Sequence, residues 1–593
     1  MVTAVGLPAS AQADPSGSAS APAAAPAKGK ILRIATSGFV DTFNPFISIY
    51  LTPTNIIRYV YESLVQNNQT DGGPTKGLAD SWKAEDGGKK WVFTLQDGLK
   101  WSDGQPITSK DVQYTYQQMM TNPTLGTANG NLVSNFQSVD APDDKTVVIN
   151  LKTPQAPNPG SEIPVVPEHI WSKVKDPTKF ANDHDVVGSG AYTLQSYSAN
   201  QSITLKANPN FWRGKPKIDG IQYVYYTNSD AQVQALRSGD VDLVTGLTSE
   251  QYKALQGSKG ITTHAGIGRR YLSISMNVGL QTPEGKRYGN GAKALQDVDV
   301  RQAIRLGTDS KTLLDKVLGG QGTLATSFIP ASFPDWHLPD DDAAIMGFDQ
   351  DAAKKKLDAA GWKVGSDGIR EKDGKKLKLR LLIGADDPTQ QSITEYFTPW
   401  MKDIGIEIDP QSTDSDTISD KLTKGDYDLY YTGWSVNPDP DYQLGINTCE
   451  NMPDEKGNGG TSQDGYCDPK FDKLYQDQRS EMDKGKRIQI VRQMLSMNYT
   501  ASPQVSLWYQ KQLEAYRSDR FTDFGLMPKK DGIIANQAGY WGYLTVKPVQ
   551  GAQTSSGDGV STGLIIGGGV LVLLIIGGVI FAVRKRRNMA DVE

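Results

Sequence analysis

From Val187 to Tyr223 the chain alternates apolar and polar residues in three short runs, each closed by turn formers. AYTLQSY (191–197) and SITLKAN (202–208) suit half-buried strands, with Ile203 and Leu205 on one face and Thr204 and Lys206 on the other. Ser198, Ala199 and Asn200 make the turn between them. Pro209, Gly214 and Pro216 punctuate a loop carrying Phe211 and Trp212, and IDGIQYVYY (218–226) resumes as a third strand. Successive side chains of a strand point to opposite faces, so such a segment folds only where something covers its apolar side. Gly188, Ser189 and Gly190 precede it and let the backbone make a crossing that a side chain would block. The pattern by itself is that of any β-meander.

The rest of the chain supplies partners. ILRIATSG (31–38) starts a short apolar strand, and Asn44-Pro45 marks a turn after it. Pro53 to Gln66 carries Ile56, Ile57, Val60 and Leu64 at helical spacing. WVFTL (91–95) is a strand, DGLKWSDGQPIT (97–108) a pair of glycine-centred turns, and Thr108 or Ser109 caps a helix bearing Val112, Tyr116 and Met119. ALRSGDVDLV (235–244) is a helix stopped at Gly239 and then a strand; 300–320 is a helix, a turn at Gly307 and a second helix. LKLRLLI (377–383) and IEIDPQS (406–412) flank a helix containing Tyr396, Phe397 and Trp400. YDLYYTGW (427–434) is a buried strand, and 486–516 is a long helix followed by a strand. This alternation predicts a mixed α/β sheet.

At 593 residues the length allows two to four domains, and a net charge of −5 gives no basic footprint for nucleic acid. His169, His184, His264 and His337 are scattered, without the spacing of a zinc site, and no metal or other cofactor is expected. Residues 1–13 end in Ala11-Gln12-Ala13, a small-x-small cleavage pattern without the charged start and most of the apolar core of a leader. Residues 14–30, rich in Ala, Pro and Ser, lack the apolar residues to fold and are expected to be a tether. Gly563 to Val583 is uncharged and long enough, at 1.5 Å per residue, to cross about 30 Å of hydrocarbon. Arg584, Lys585, Arg586 and Arg587 follow it, which sets the tail in the cytoplasm and the large N-terminal part outside. Outside the cell, Cys449 and Cys467, in a loop rich in Gly, Asn and Asp, are expected to form a disulfide.

The run SGAYTL…SITLKANPNFWRGKPKIDGIQY, together with the block from Gly77 to Met119, resembles bacterial extracellular solute-binding proteins of family 5, the oligopeptide- and dipeptide-binding components of ABC importers. The resemblance covers about Ile31 to Val546. It implies an α/β, two-lobed periplasmic-binding-protein-like fold with an extra small domain inserted in lobe I, here with one C-terminal transmembrane helix. The implied division is leader remnant 1–13, tether 14–30, lobe I 31–70, small domain 71–186, lobe I again 187–277, lobe II 278–507 and lobe I return 508–548. Linker 549–562, membrane helix 563–583 and cytoplasmic tail 584–593 complete it. Chain crossings between lobes are expected near Asn277 and near Trp508, a pair of connections that bends without letting the lobes separate.

The expected role is capture of a peptide, or another small solute such as an oligosaccharide, by a monomer that delivers it to ABC permease subunits. A non-transport signalling ectodomain is the alternative that the membrane span alone would allow. Trp434-Ser435-Val436-Asn437-Pro438-Asp439-Pro440-Asp441-Tyr442 is the foremost ligand segment, since it follows a strand end and carries two carboxylates flanked by aromatic rings. In peptide-binding relatives an acidic residue of this loop holds the ligand amine. The equivalent place falls here on Asn437, with Asp439 the nearest acid. Asn44 and Phe46 after the first strand, Asn277, and the aromatic residues Trp508, Tyr509, Tyr540 and Trp541 are further candidates. No nucleophile elbow, phosphate loop, metal motif or triad is present, so no enzymatic activity is expected.

Overall fold

The computed structural model describes residues 30–282, 284–454, 462, 464–535 and 541–549. A mixed sheet of eleven strands passes through two lobes. In hydrogen-bonded order its strands are Glu407–Thr413, Lys378–Gly384, Leu429–Thr432, Ile261–Met276, Gln504–Arg517, Leu243–Thr245, Ile31–Thr36, Gly220–Tyr225, Ser202–Ala207 and Tyr192–Ser198, with Gly322–Leu324 added to Gln504–Arg517. The meander read from the sequence forms its edge, with antiparallel pairing of Tyr223 to Ile203 and of Leu194 to Leu205. The crossing before it is tight. A Cβ at Gly188 would lie 2.3 Å from the Val60 carbonyl oxygen, and one at Gly190 2.2 Å from that of Tyr59.

Two long strands belong to both lobes. Ile261–Met276 and Gln504–Arg517 run antiparallel from the pair Ile261–Arg517 to the pair Ser275–Gln504. At one end Gln504–Arg517 also pairs with Leu243–Thr245, and at the other Ile261–Met276 pairs with Leu429–Thr432. Between them the register slips twice, at Ile267/Tyr271 and at Leu272/Ser273. Gly268 lies in this break, where a Cβ would come 2.3 Å from the Gln510 carbonyl oxygen. Asn277 lies beyond it, past the end of its strand.

A separate four-stranded antiparallel sheet, in the order Ala79–Glu85, Lys90–Leu95, Thr146–Leu151, Phe136–Asp143, packs on the first lobe. Leu32 and Ile34 belong to the same apolar cluster as Trp91, Phe93 and Val147 of this sheet. Thr108 caps the helix Ser109–Thr121 in a reciprocal box with Asp111, as the sequence allowed. In the second lobe Lys378–Gly384 and Glu407–Thr413 are parallel and joined by the helix Pro388–Asp403, whose Phe397 and Met401 cover the sheet.

One helix is shorter than its periodicity suggested. Leu51–Val60 ends at Tyr61, which is extended. Beyond it the Glu62 amide donates to Ser189 Oγ, and the Ser63 and Leu64 carbonyls accept from Leu78 and Ala79. Contacts distant in sequence capture the backbone there and stop the helix. No helix among the described residues is long and apolar enough to cross a membrane. The leader remnant, the expected span 563–583 and the tail lie outside the described residues, as does nearly all of the tether and linker.

Candidate functional site

Between the lobes lies a cleft of about 950 Å3. Its first-lobe wall is built from Pro45, Ile49 and Arg58 and from the proline-stiffened segment 155–164. Its second-lobe wall is the turn Asn437–Asp441 with Trp336, Tyr475, Arg479 and Arg487. Pro438 and Pro440 fix the turn, and Arg269 ties it to the long strand: the Val436 amide donates to the Arg269 carbonyl, and Arg269 Nη1 donates to the Val436 carbonyl, both at 2.9 Å. Burial and the nearby Arg58 push the Arg269 guanidinium down to about 10, with Glu162 opposing them.

The carboxylates of the turn are held inside the second lobe. Arg487 donates from both terminal nitrogens to the two oxygens of Asp439, each at 2.7 Å, and from Nε to Gln478 at 3.0 Å. Gln478 donates in turn to Asp441 Oδ1 at 2.7 Å, and Arg479 lies 3.6 Å from the same oxygen. The Arg487 guanidinium sits over the Trp336 ring, 4.9 Å from its centre. Desolvation raises the Asp441 carboxyl above its ordinary value; Asp439 adds to this, and Arg479, Gln478 and Arg487 oppose it.

The other candidates separate. Asn44 is fully buried, donating to the carbonyls of Pro177 and Phe180 and accepting from the Phe46 amide; Phe46 packs edge-on against Trp171. Their neighbours Pro45, Ser48 and Ile49 line the cleft instead. Asn277 donates to the Tyr427 carbonyl and accepts from the Gly279 and Leu280 amides, pinning a buried loop. Trp508 and Tyr509, consecutive on a strand, point to opposite faces and enter two different apolar clusters. The Tyr509 hydroxyl accepts from the Thr326 and Ser327 amides and donates to the Ser327 carbonyl. Trp434 packs against the same cluster as Tyr509. Trp541 donates to the Asn67 carbonyl, and Tyr540 lies outside the described residues.

Sequence reasoning missed Glu162. It is not a glycine, yet its φ is +69°, in the left-handed region. Its Oε2 accepts from Asn437 Nδ2 at 3.1 Å across the cleft and lies 3.7 Å from Arg58. A second bridge joins the walls through main chain, from the Ala156 amide to the Arg479 carbonyl at 2.5 Å. A lone glutamate in a proline-rich return carries no signal for either property.

The expected pair Cys449–Cys467 is bonded, and the cysteine-linked segment puts Glu450 and Asn451 at the cleft. Among the described residues no group of three or more His, Cys, Asp and Glu side chains could hold a metal ion.

Known proteins share this architecture. The chain is 26% identical over 434 residues to the oligopeptide-binding protein AppA of Bacillus subtilis, covering 72% of this chain and 77% of that protein. It is 31% identical over 364 residues to protein XP55 of Streptomyces lividans, covering 61% and 63%. The structure of Bacillus subtilis AppA in complex with a nonapeptide superposes with a TM-score of 0.68 at 22% identity, over 88% of this chain and all of that one. That of NikZ from Campylobacter jejuni with Ni(L-His) gives 0.70 at 19%, over 83% and 95%. The model of the middle region of bacterial extracellular solute-binding proteins, family 5, matches residues 73–452. Two lobes on a pair of shared strands, a cleft walled by both and a family match over most of the chain lead to one assignment: the chain belongs to the bacterial extracellular solute-binding proteins of family 5, which bind solutes and do not transform them.

Proposed function

We propose that this protein is the membrane-tethered, extracellular receptor of an ABC importer and that it captures peptides between its lobes for delivery to the permease. The observation that carries the reading is the cleft. Its volume lies near the top of the range of about 300–1,000 Å3 common for ligand sites, and both lobes contribute walls. Its lining mixes amide-bearing residues, prolines and aromatic rings with charges already matched to one another in the second lobe. Such a lining suits a ligand held through main-chain hydrogen bonds with room for varied side chains. The four-stranded sheet is the core of the inserted domain 71–186, and the pairs around Gly268 form the hinge. The apolar run 563–583 with the cations behind it supports the tether.

Thermal melting of the full-length protein with a mixed tripeptide-to-nonapeptide library tests the ligand class. A rise in Tm is expected, because a ligand that binds only the folded form stabilises it by mass action. No rise with peptides, but one with nickel–histidine or with cello-oligosaccharides, would overturn the peptide reading and keep the receptor. Protease added to intact cells should remove the folded body and leave the C-terminal tail.

A further inference from the structure

We propose that Glu162, rather than a carboxylate of the turn 434–442, receives the amino end of a peptide in the cleft; this rests on the peptide reading above. Each carboxylate of the turn is already held by short hydrogen bonds on its own lobe: Asp439 has both oxygens on Arg487 and Asp441 accepts from Gln478, all at 2.7 Å, whereas the cation on Glu162's own wall, Arg58, stands off at 3.7 Å. On the rim, Asp71 accepts from Asn68 and from the Gly73 amide, and Asp335 pairs with Lys484. Drawing any of these to a ligand breaks a short bond within one wall. Glu162 differs in placement and in partner. It projects from the opposite wall, its side chain is about one-fifth exposed, and its closest contact is an uncharged amide that belongs to the other lobe. An ammonium group offers a charged donor where Asn437 offers a neutral one, and a hydrogen bond to a charged donor is the stronger. The amine therefore displaces Asn437, and the amide is left to accept from or donate to the peptide main chain.

The backbone supports the same assignment. Ser161, Glu162 and Ile163 form a tight turn, with the Ile163 amide donating to the Ser161 carbonyl, and Glu162 at its tip takes the left-handed conformation that a glycine would adopt without strain. Pro157, Pro159 and Pro164 stiffen the segment that presents it. Strained non-glycine positions concentrate where a side chain must be aimed. Arg58, 3.7 Å behind the carboxylate, and the buried Arg269 keep the surroundings from being uniformly negative.

The test compares a mixed tripeptide library with the same library N-acetylated, by calorimetry on the full-length protein and on Glu162→Gln and Glu162→Gly. Wild type is expected to bind the free-amine library at least tenfold more tightly than the acetylated one. Both variants should lose that preference and still bind the acetylated library. A variant that keeps the preference overturns the proposal while leaving the peptide reading intact. Equal weakening towards both libraries also overturns it, by showing Glu162 to act on the cleft's shape. If wild type binds neither library, the peptide reading falls and this assignment with it.

Discussion

Asp464 shows what burial does to a single carboxyl here. It accepts from the Tyr466 amide, with the buried Arg301 near it, yet desolvation dominates and pushes it up to about 6. A carboxyl that binds its proton more tightly in the folded than in the unfolded chain stabilises the fold fully below the unfolded value near 4. That contribution is lost as pH rises through about 6. Asparagine keeps the acceptor for Tyr466 without the charge. Asp464→Asn should therefore flatten the fall of Tm between pH 4 and 7 and raise stability at pH 7.5, by up to about 3 kcal/mol. A Tm series from pH 4 to 8 reads this, and an unchanged slope refutes it. At Arg487 the opposite holds. Arg487→Met leaves Asp439 and Gln478 without their donor, and urea unfolding should show a loss of about 2–4 kcal/mol. The acidic turn was legible in the sequence because two aspartates alternate with prolines. What those aspartates do was not, since Arg487 stands 48 positions away and nothing local marks it as their partner.

Among the elements, those whose signals are local were legible. Alternation located the meander, and Thr108 or Ser109 after the glycine-centred turns located a helix start. The end of the helix Leu51–Val60 was not, because the forces that stop it come from Ser189, Leu78 and Ala79. RRYLSISMN (269–277) was legible as a strand, but the first half of Ile261–Met276 hid for a related reason. It reads ITTHAGIG, too polar and glycine-rich for a core strand, and its partner Arg517 lies far along the chain. The disulfide acts at this scale too. It closes a loop of 18 residues' separation that borders the cleft. Cys449→Ser with Cys467→Ser should cost roughly 3 kcal/mol through the freed unfolded chain. The same drop in Tm on adding reductant to wild type, and none in the double variant, is the expected pattern.

In the whole molecule, one pair of strands carries both the connection and the freedom to bend. The pairing slips at Ile267/Tyr271 and at Leu272/Ser273, which is where the proposed hinge would bend with the lobe cores intact. Without ligand the walls meet at two hydrogen bonds, Asn437 to Glu162 and the Ala156 amide to the Arg479 carbonyl; a peptide amine at Glu162 would replace the first and leave the second. The second is a reporter, because its donor is a backbone amide that exchanges with solvent when the lobes part. A ligand that binds only the closed form shifts the equilibrium by its differential affinity and by nothing else. At a hundred times Kd that shift is about 2.7 kcal/mol, which slows exchange at Ala156 about a hundredfold. Amides between Leu379 and Ile383, central to the second lobe's sheet, should keep their rates apart from the general rise in stability. Unchanged exchange at Ala156 under saturating peptide would rule out closure as the mode of capture.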